Sequence, residues 1–372
     1  MARPRVLFVS RERHRLPLDD VQRHKWDAIG ERLDYLVIAA APTGFPTSSD
    51  RFHLVGPSGP PATDGAQFYL RLPFRLAREL REFEPDAALV QGVHELLALL
   101  AARRLARVDT KAILDLQGDW HEATRLYGSK WRRLLDPAND AAGEFAIRHA
   151  DGVRVISEHT GRLVRGARVE PLASFPPYVD AEAFLGRPVE PLPERPTALF
   201  VGVLEKVKNI DGLAAAWPLV AQRVPAARLH LVGNGTRTDT AETLVRDHGA
   251  TWDRALDADG VAAALDDSWL LVLPSRAEGL GRVLIESACR GRALVGADRG
   301  GIPDVVEDGV NGLLVDPDDP RSLAEALVRL LSHRGEAERL GAAARETGEQ
   351  WSITPEQFAD RIAAVVAGAL GH

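Results

Sequence analysis

Two segments far apart in the chain open with nearly the same phrase, Pro4-Arg5-Val6-Leu7-Phe8-Val9-Ser10 and Pro196-Thr197-Ala198-Leu199-Phe200-Val201-Gly202. In each, a proline precedes an apolar run with leucine, phenylalanine and valine at matching positions, and a small residue ends it. An unbroken run of this kind, without polar alternation, suits a strand covered on both faces, as in a parallel sheet. The same opening twice predicts two α/β halves, and 372 residues are too many for one ordinary core.

The intervening segments fit that reading. In the first half, strands are expected over Tyr35–Ala39, Ala87–Val90, Ala112–Leu116 and Val153–Ile156, with helices over Asp19–Arg32, Glu95–Arg107 and Ala142–His149. In the second, strands are expected over Leu229–Val232, Leu270–Leu273, Leu294–Gly296 and Gly312–Val315, with helices over Thr240–His248, Ser322–Leu331 and Ala337–Glu346. Strands alternating with helices at this spacing imply parallel sheets. The proline-rich stretch from Phe175 to Pro196 is the natural connection. It divides the chain into a first domain over 1–182, a linker over 183–195 and a second domain over 196–351. The closing segment 352–372 carries Phe358, Ile362, Val365, Val366 and Leu370 at helical spacing.

Composition narrows the class. With 45% hydrophobic and 27% charged residues, the chain reads as a soluble globular protein. Val6–Val9 followed by Arg11, Arg13 and Arg15 is a first strand rather than a signal peptide, and no apolar run reaches membrane-spanning length, so the cytoplasm is the expected compartment. A single cysteine, Cys289, excludes an internal disulfide and a cysteine-cluster metal site, and its place in a helix suits a buried structural thiol. Through Glu182 there are 26 basic and 25 acidic side chains, beyond it 20 and 28, a balance unsuited to nucleic acid. The basic clusters Arg103, Arg104, Arg107 and Arg125, Lys130, Arg132, Arg133 could meet lipid phosphates or an anionic acceptor. Arginines scattered over solvated helices account for them better, so peripheral membrane contact is not the favoured expectation. Asp257-Ala258-Asp259 reads as a helix start, and no glycine-rich fingerprint with a distal acid supports a dinucleotide oxidoreductase.

The most informative stretch runs from Leu271 to Pro317. The strand Leu270–Leu273 is broken by Pro274-Ser275, and a helical pattern starts near Leu280. Glu278 then lies in the loop beyond the strand's carboxyl end, and Glu286 on the following helix. Ligands of open α/β sheets bind in that crevice. The first amides of the helix, from about Leu280 to Val283, suit a phosphate. Carboxylates beside an anion-binding helix end fit a ligand with phosphates at one end and hydroxyls at the other, such as a sugar nucleotide.

These residues resemble the signature of retaining glycosyltransferases of family 4, a class of the glycosyltransferase B type. Its pattern of Pro-Ser, two glutamates and interspersed glycines is met by Pro274, Ser275, Glu278, Gly279, Gly281, Glu286, Ala288 and Gly291. It continues through Gly300, Gly301, Pro303, Val306, Gly309, Asn311 and Gly312. The resemblance implies two Rossmann-like domains facing a central cleft, with the terminal helix crossing back to an acceptor-side first domain and the donor bound mainly by the second. It implies diphosphate binding by Lys208 followed by Asn209, a glycine turn at Gly233 and Gly235, donor contacts from Gly279, Leu280, Gly281 and Arg282, ribose binding by Glu286, and donor-sugar contacts from Glu278. Lys208 and Glu278 are the pair expected to support the reaction. On the acceptor side, Gln117, Asp119 and His121 occupy the segment where relatives often carry a histidine, while His94 reads as an ordinary structural histidine.

The chain departs from the pattern in places. Val203 stands where relatives have an arginine, so Lys206, Arg282 or Arg299 would have to supply that charge. Gln117 stands at the histidine position, Arg11 to Pro17 replaces a glycine-rich loop, Thr236 follows the glycine turn in place of proline, and Pro177-Tyr178-Val179-Asp180 half-matches a further motif. The expected activity is transfer of a hexosyl unit from a nucleoside diphosphate sugar (UDP- or GDP-sugar) to an acceptor hydroxyl, with retention, an α-linkage and no obligatory metal or cofactor. The alternatives are a catalytically silent sugar-nucleotide-binding protein and a same-fold sugar-nucleotide epimerase; the base, sugar, acceptor and oligomeric state stay open.

Overall fold

The computed structural model describes residues 3–56, 61–127 and 136–371. Lys130, Arg132 and Arg133 of the second basic cluster lie outside the described residues. The chain divides into two compact units. One comprises Met1–Arg125, Ser129–Pro177 and Thr354–His372, the other Tyr178–Ile353 and the short Leu126–Gly128.

The first unit contains β1 (Arg5–Arg13), α1 (Asp20–Arg32), β2 (Asp34–Ala40), β3 (Phe52–Val55), α2 (Pro61–Phe83), β4 (Ala87–Gln91) and α3 (Val93–Ala106). It continues with β5 (Lys111–Leu116), α4 (Trp120–Tyr127), α5 (Asp136–Arg148), β6 (Gly152–Val155), α6 (Glu158–Gly166) and β7 (Ala173–Ser174). Its strands form one sheet in the order β3-β2-β1-β4-β5-β6-β7, every paired neighbour parallel. The expected strands are those buried on both faces: Val6, Leu7, Val9, Ala88, Val90, Ala112 and Leu114 are all closed to solvent. Asp19 starts α1 as read, its side chain accepting from the Gln22 amide at 2.8 Å.

The second unit contains α7 (Glu182–Leu185), β8 (Thr197–Val201), α8 (Ile210–Arg223), β9 (Arg228–Val232), α9 (Thr238–His248), β10 (Thr251–Asp253) and α10 (Ala258–Asp266). Then come β11 (Leu270–Leu273), α11 (Arg282–Cys289), β12 (Ala293–Ala297), β13 (Gly312–Val315), α12 (Pro320–Ser332) and α13 (Arg334–Trp351). The sheet order is β10-β9-β8-β11-β12-β13, again parallel. The chain is thus two Rossmann-like α/β halves. In each, the first strand has its successor on one side and a later strand, β4 or β11, on the other. Asp257 caps α10 by accepting from the Gly260 amide at 2.8 Å, so the Asp-x-Asp spelling is a helix start. Cys289 is fully buried beside Ser352.

The terminal helix, α14 (Pro355–Leu370), belongs to the first unit, against α1. Thr354 and Gln357 form a capping box at its start, and Phe358, Ile362, Val365 and Val366 are buried. Phe358 meets Phe175 edge-on at 6.1 Å. Burial of each such side chain contributes roughly 1.5–3 kcal/mol, which explains how a segment so remote in sequence is held.

The bounds differ from those expected at the connection. The main crossing into the second unit lies at Pro177–Tyr178, and residues 183–195 form a strap fixed to that unit. Arg290, fully buried, donates to the carbonyls of Phe184, Arg187 and Pro188, and Arg292 donates to that of Glu190. Trp269 Nε1 donates to the Pro193 carbonyl at 2.8 Å. Prolines leave carbonyls without partner amides, and the buried guanidinium groups satisfy them.

Candidate functional site

In the second unit the strand order reverses between β8 and β11, and the loops leaving these two strands meet at their carboxyl ends. After β8 the chain makes a 3-10 turn, Lys206–Lys208, and enters α8 through Asn209. Asn209 is fully buried with φ of 57°; its side chain accepts from Gly212 N at 3.2 Å and donates to the Pro317 carbonyl at 2.7 Å. It shapes the loop through both ends of its amide. After β11, the Arg276 amide donates to the Val207 carbonyl at 2.8 Å and stitches the two loops together. Lys208 Nζ donates to Glu278 Oε1, which also accepts from Ser275 Oγ at 3.0 Å. The Lys208 and Glu278 side chains retain 21% and 12% exposure, so both can still meet a ligand.

Two glycines set the loop spacing. Gly301 donates to the Glu278 carbonyl at 2.9 Å, and a Cβ on it would stand 2.0 Å from the Gly279 carbonyl oxygen. Gly233 has φ of +137°, and its Cβ would lie 1.9 Å from the Gly202 carbonyl oxygen. The glycine turn at Gly233 and Gly235 packs against the backbone of the β8 loop, at Gly202 and Leu204.

Helix α11 starts at Arg282, two residues later than expected, with Gly281 as its cap and no side chain accepting from its first turn. The Arg282 and Val283 amides therefore keep their capacity for an anion, whereas the Leu284 amide donates to the Gly281 carbonyl at 2.9 Å. Leu280 is buried, while Arg282 is exposed at the helix start. Glu286, one turn further, is partly buried; burial pushes its carboxyl above the usual range against the opposing pull of Arg282. Of the three cations considered for the missing arginine, Arg299 is engaged. It and Arg276 hold Asp318 between them at 3.0 and 3.1 Å, keeping that carboxyl below its ordinary range. Lys206 and Arg282 are exposed and, among the described residues, in no ion pair. Val203 is 55% exposed.

Gln117, Asp119 and His121 cluster in the first unit, at the carboxyl end of β5. Gln117 Nε2 donates to Asp115 Oδ2 at 2.7 Å, and Asp119 Oδ1 accepts from the His121 amide and lies 2.8 Å from its Nδ1. Behind them Asp115 pairs with Arg154, whose guanidinium also donates to the carbonyls of Phe175 and Pro176. Asp115 and Arg154 were not singled out in the sequence, where an isolated arginine in a strand carries no sign of its partner. His94 is exposed and 2.9 Å from Asn139 Oδ1, an ordinary surface contact. Among the described residues, no three His, Cys, Asp or Glu side chains are grouped to hold a metal ion, and no helix is long and apolar enough to cross a membrane.

Two family models match in tandem, one over each half. Residues 30–183 match the model for Glycosyltransferase Family 4, and residues 195–333 that for Glycosyl transferases group 1. The chain belongs to the group 1, family 4 glycosyltransferases. Among relatives of these glycosyltransferases, it is 32% identical over 243 residues to a GDP-mannose-dependent alpha-(1-6)-phosphatidylinositol monomannoside mannosyltransferase of Mycobacterium tuberculosis, covering 59% of this chain and 61% of that one. It is 32% identical over 162 residues to the sulfoquinovosyl transferase SQD2 of Arabidopsis thaliana, covering 43% and 31%. The alignments thus span less than two thirds of these relatives. In fold it is similar to sucrose-phosphate synthase from Thermosynechococcus elongatus, with TM-score 0.75, 20% identity and coverage of 99% and 98%. It is also similar to Anabaena Alr3699/HepE in complex with UDP-glucose, with TM-score 0.66, 16% identity and 99% of each chain covered.

Proposed function

We propose that this glycosyltransferase moves a hexosyl unit from a nucleoside diphosphate sugar to an acceptor hydroxyl, with retention and formation of an α-linkage. The observation that carries the reading is the meeting of Lys208 and Glu278 at the β8–β11 reversal, beside the uncapped start of α11 and one turn from Glu286. A diphosphate at the helix end would compete with Glu278 for Lys208. Glu278, so released, would accept from the sugar hydroxyls, and Glu286 from the ribose hydroxyls.

In this reading the acceptor oxygen attacks the anomeric carbon from the side on which the diphosphate departs. The new carbon–oxygen bond forms as the bond to phosphate breaks, and the acceptor's proton passes to a departing phosphate oxygen. Charge growing on the diphosphate is met by Lys208, the α11 amides and the unpaired Lys206 and Arg282, without an obligatory metal. Glu278 needs no covalent role, because a double displacement would require a nucleophile on the opposite face.

The test is thermal unfolding with UDP, GDP, TDP and their sugars, on the wild type and Glu286→Ala. One nucleotide is expected to raise the transition of the wild type and to lose that effect in the variant. No shift with any nucleotide overturns the donor site. The exposed Val203 and the engagement of Arg299 favour a second reading, a silent sugar-nucleotide binder; nucleotide stabilisation without donor hydrolysis or transfer would select it.

A further inference from the structure

We propose that Asp115 is a positioning residue: held in a buried ion pair with Arg154, it fixes the Gln117 amide so that a sugar hydroxyl of the substrate meets the amide's carbonyl oxygen. This rests on the glycosyl-transfer reading above. Arg154 lies on β6 directly opposite Asp115 on β5, and both strands are interior to the first sheet. The two side chains are 0% and 4% exposed. A charge buried so deeply must be paired and hydrogen-bonded, because an unpaired one is costly. Arg154 meets that demand with the Asp115 carboxylate and with the carbonyls of Phe175 and Pro176, at 2.8 and 2.7 Å. Its guanidinium also lies over the Phe175 ring, 4.0 Å from the centroid.

The consequence falls on Gln117. Asp115 uses one oxygen for Arg154 and the other for Gln117 Nε2, at 2.7 Å. A carboxylate clamped by a guanidinium offers only lone pairs, so the Gln117 amide can meet it through its NH2 group alone. Turning the amide over would set two oxygens against each other. The carbonyl oxygen is therefore the end directed away from Asp115. Among the described residues no protein donor reaches that oxygen, and Gln117 is half-buried rather than closed off. Asp119 and His121 are occupied with each other at 2.8 Å.

An amide held in this way is a hydrogen-bond acceptor of fixed polarity, at the carboxyl end of a strand where ligands of open α/β sheets bind. It accepts from a hydroxyl and disfavours carboxylate or phosphate oxygens, which bring only lone pairs. A histidine at this place would present a donor on at least one ring nitrogen; the clamped glutamine presents none.

Release of nucleotide from UDP-glucose and GDP-mannose tests this, with and without methyl α-D-mannopyranoside and methyl α-D-glucopyranoside as acceptors. Gln117→Leu, which keeps the bulk without the acceptor, should lower kcat/KM about tenfold. Gln117→Glu, which sets two carboxylates face to face, should lower it at least as much. Combining Asp115→Asn with Gln117→Glu exchanges acid and amide: the new amide donates to the new carboxylate, whose second oxygen again faces outward. That exchange should return kcat/KM to within about threefold of wild type, whereas a merely structural Asp115 predicts additive losses. A loss already present in hydrolysis assigns the hydroxyl to the donor sugar; one confined to transfer assigns it to the acceptor. The NMR signal of the Gln117 side-chain amide, identified by its disappearance in Gln117→Leu, should lie downfield of solvent-exposed glutamines and move upfield in Asp115→Asn. Additive losses in the exchange, unchanged turnover in Gln117→Leu, or an amide signal indifferent to Asp115→Asn overturns the proposal. If the wild type releases nucleotide from neither donor, the glycosyl-transfer reading falls instead, and the amide signal, which needs no turnover, still decides whether Asp115 fixes Gln117.

Discussion

Glu286 sits where two demands on a carboxylate conflict. As a ribose acceptor it should be ionised, yet burial pushes its carboxyl above the ordinary value of 4.5. A group whose folded-state value is raised stabilises the fold most below its unfolded value, and that contribution is lost as pH rises through the folded one. Glu286→Gln should therefore raise the melting temperature at pH 7.5, with the gain over wild type shrinking toward zero below about pH 4.5. A melting series across pH checks it, and a gain that grows on acidification would contradict the burial argument. The same variant should bind nucleotide more weakly, because an amide is a poorer partner for ribose hydroxyls than a carboxylate.

At the scale of elements, the site depends on loops held at backbone contact. Gly301 lies under the Glu278 loop with no room for a methyl group, so Gly301→Ala must move one loop or the other. A cost of about 1–3 kcal/mol is expected for such overpacking, with nucleotide affinity falling as Glu278 shifts. Chemical denaturation and nucleotide titration read the two effects separately; unchanged affinity would show that the loop tolerates displacement. Much of this region was legible in sequence, because Glu278, Gly279, Gly281 and Glu286 lie in one short strand–loop–helix whose spacing fixes their neighbours. The family pattern placed Lys208 and Glu278 in one site, but the contact between them, joining residues 70 positions apart, was not legible in the sequence. What escaped depended on tertiary context. Helix α2 contains Pro73, and prolines at its start also read as breakers; its burial against α3 through Leu72, Leu76 and Leu80 overrides that local signal. Asn209 matched a motif position, but its buried cap geometry emerges only once Pro317 is beside it.

For the whole molecule, the informative element is α14, which completes a unit begun some 350 residues earlier. Its partners are α1, β4, β5 and β6. Ile362→Ala should cost about 2–5 kcal/mol, as for other large-to-small core changes. Hydrogen exchange should quicken in α1 and in β4 to β6 while β8 to β13 keep their protection. Uniform quickening across both sheets would mean that the units unfold as one. The strap at 183–195 belongs to the same scale: proline-rich composition marked it as a connection, but its buried arginine anchors lie about 100 residues away and left no local trace.

The excursion of α14 also has a consequence for synthesis. Chains emerge from the ribosome amino end first, and domains generally fold as they become complete. Here the half that is made first is finished last, since one wall of its core is encoded at 355–370. The nascent first sheet waits with α1 and Phe175 uncovered while the second sheet, almost continuous in sequence, closes its own core. A chain stalled before Thr354 should thus carry a folded second half and an open first one, and during that interval the exposed apolar face is a natural target for a chaperone.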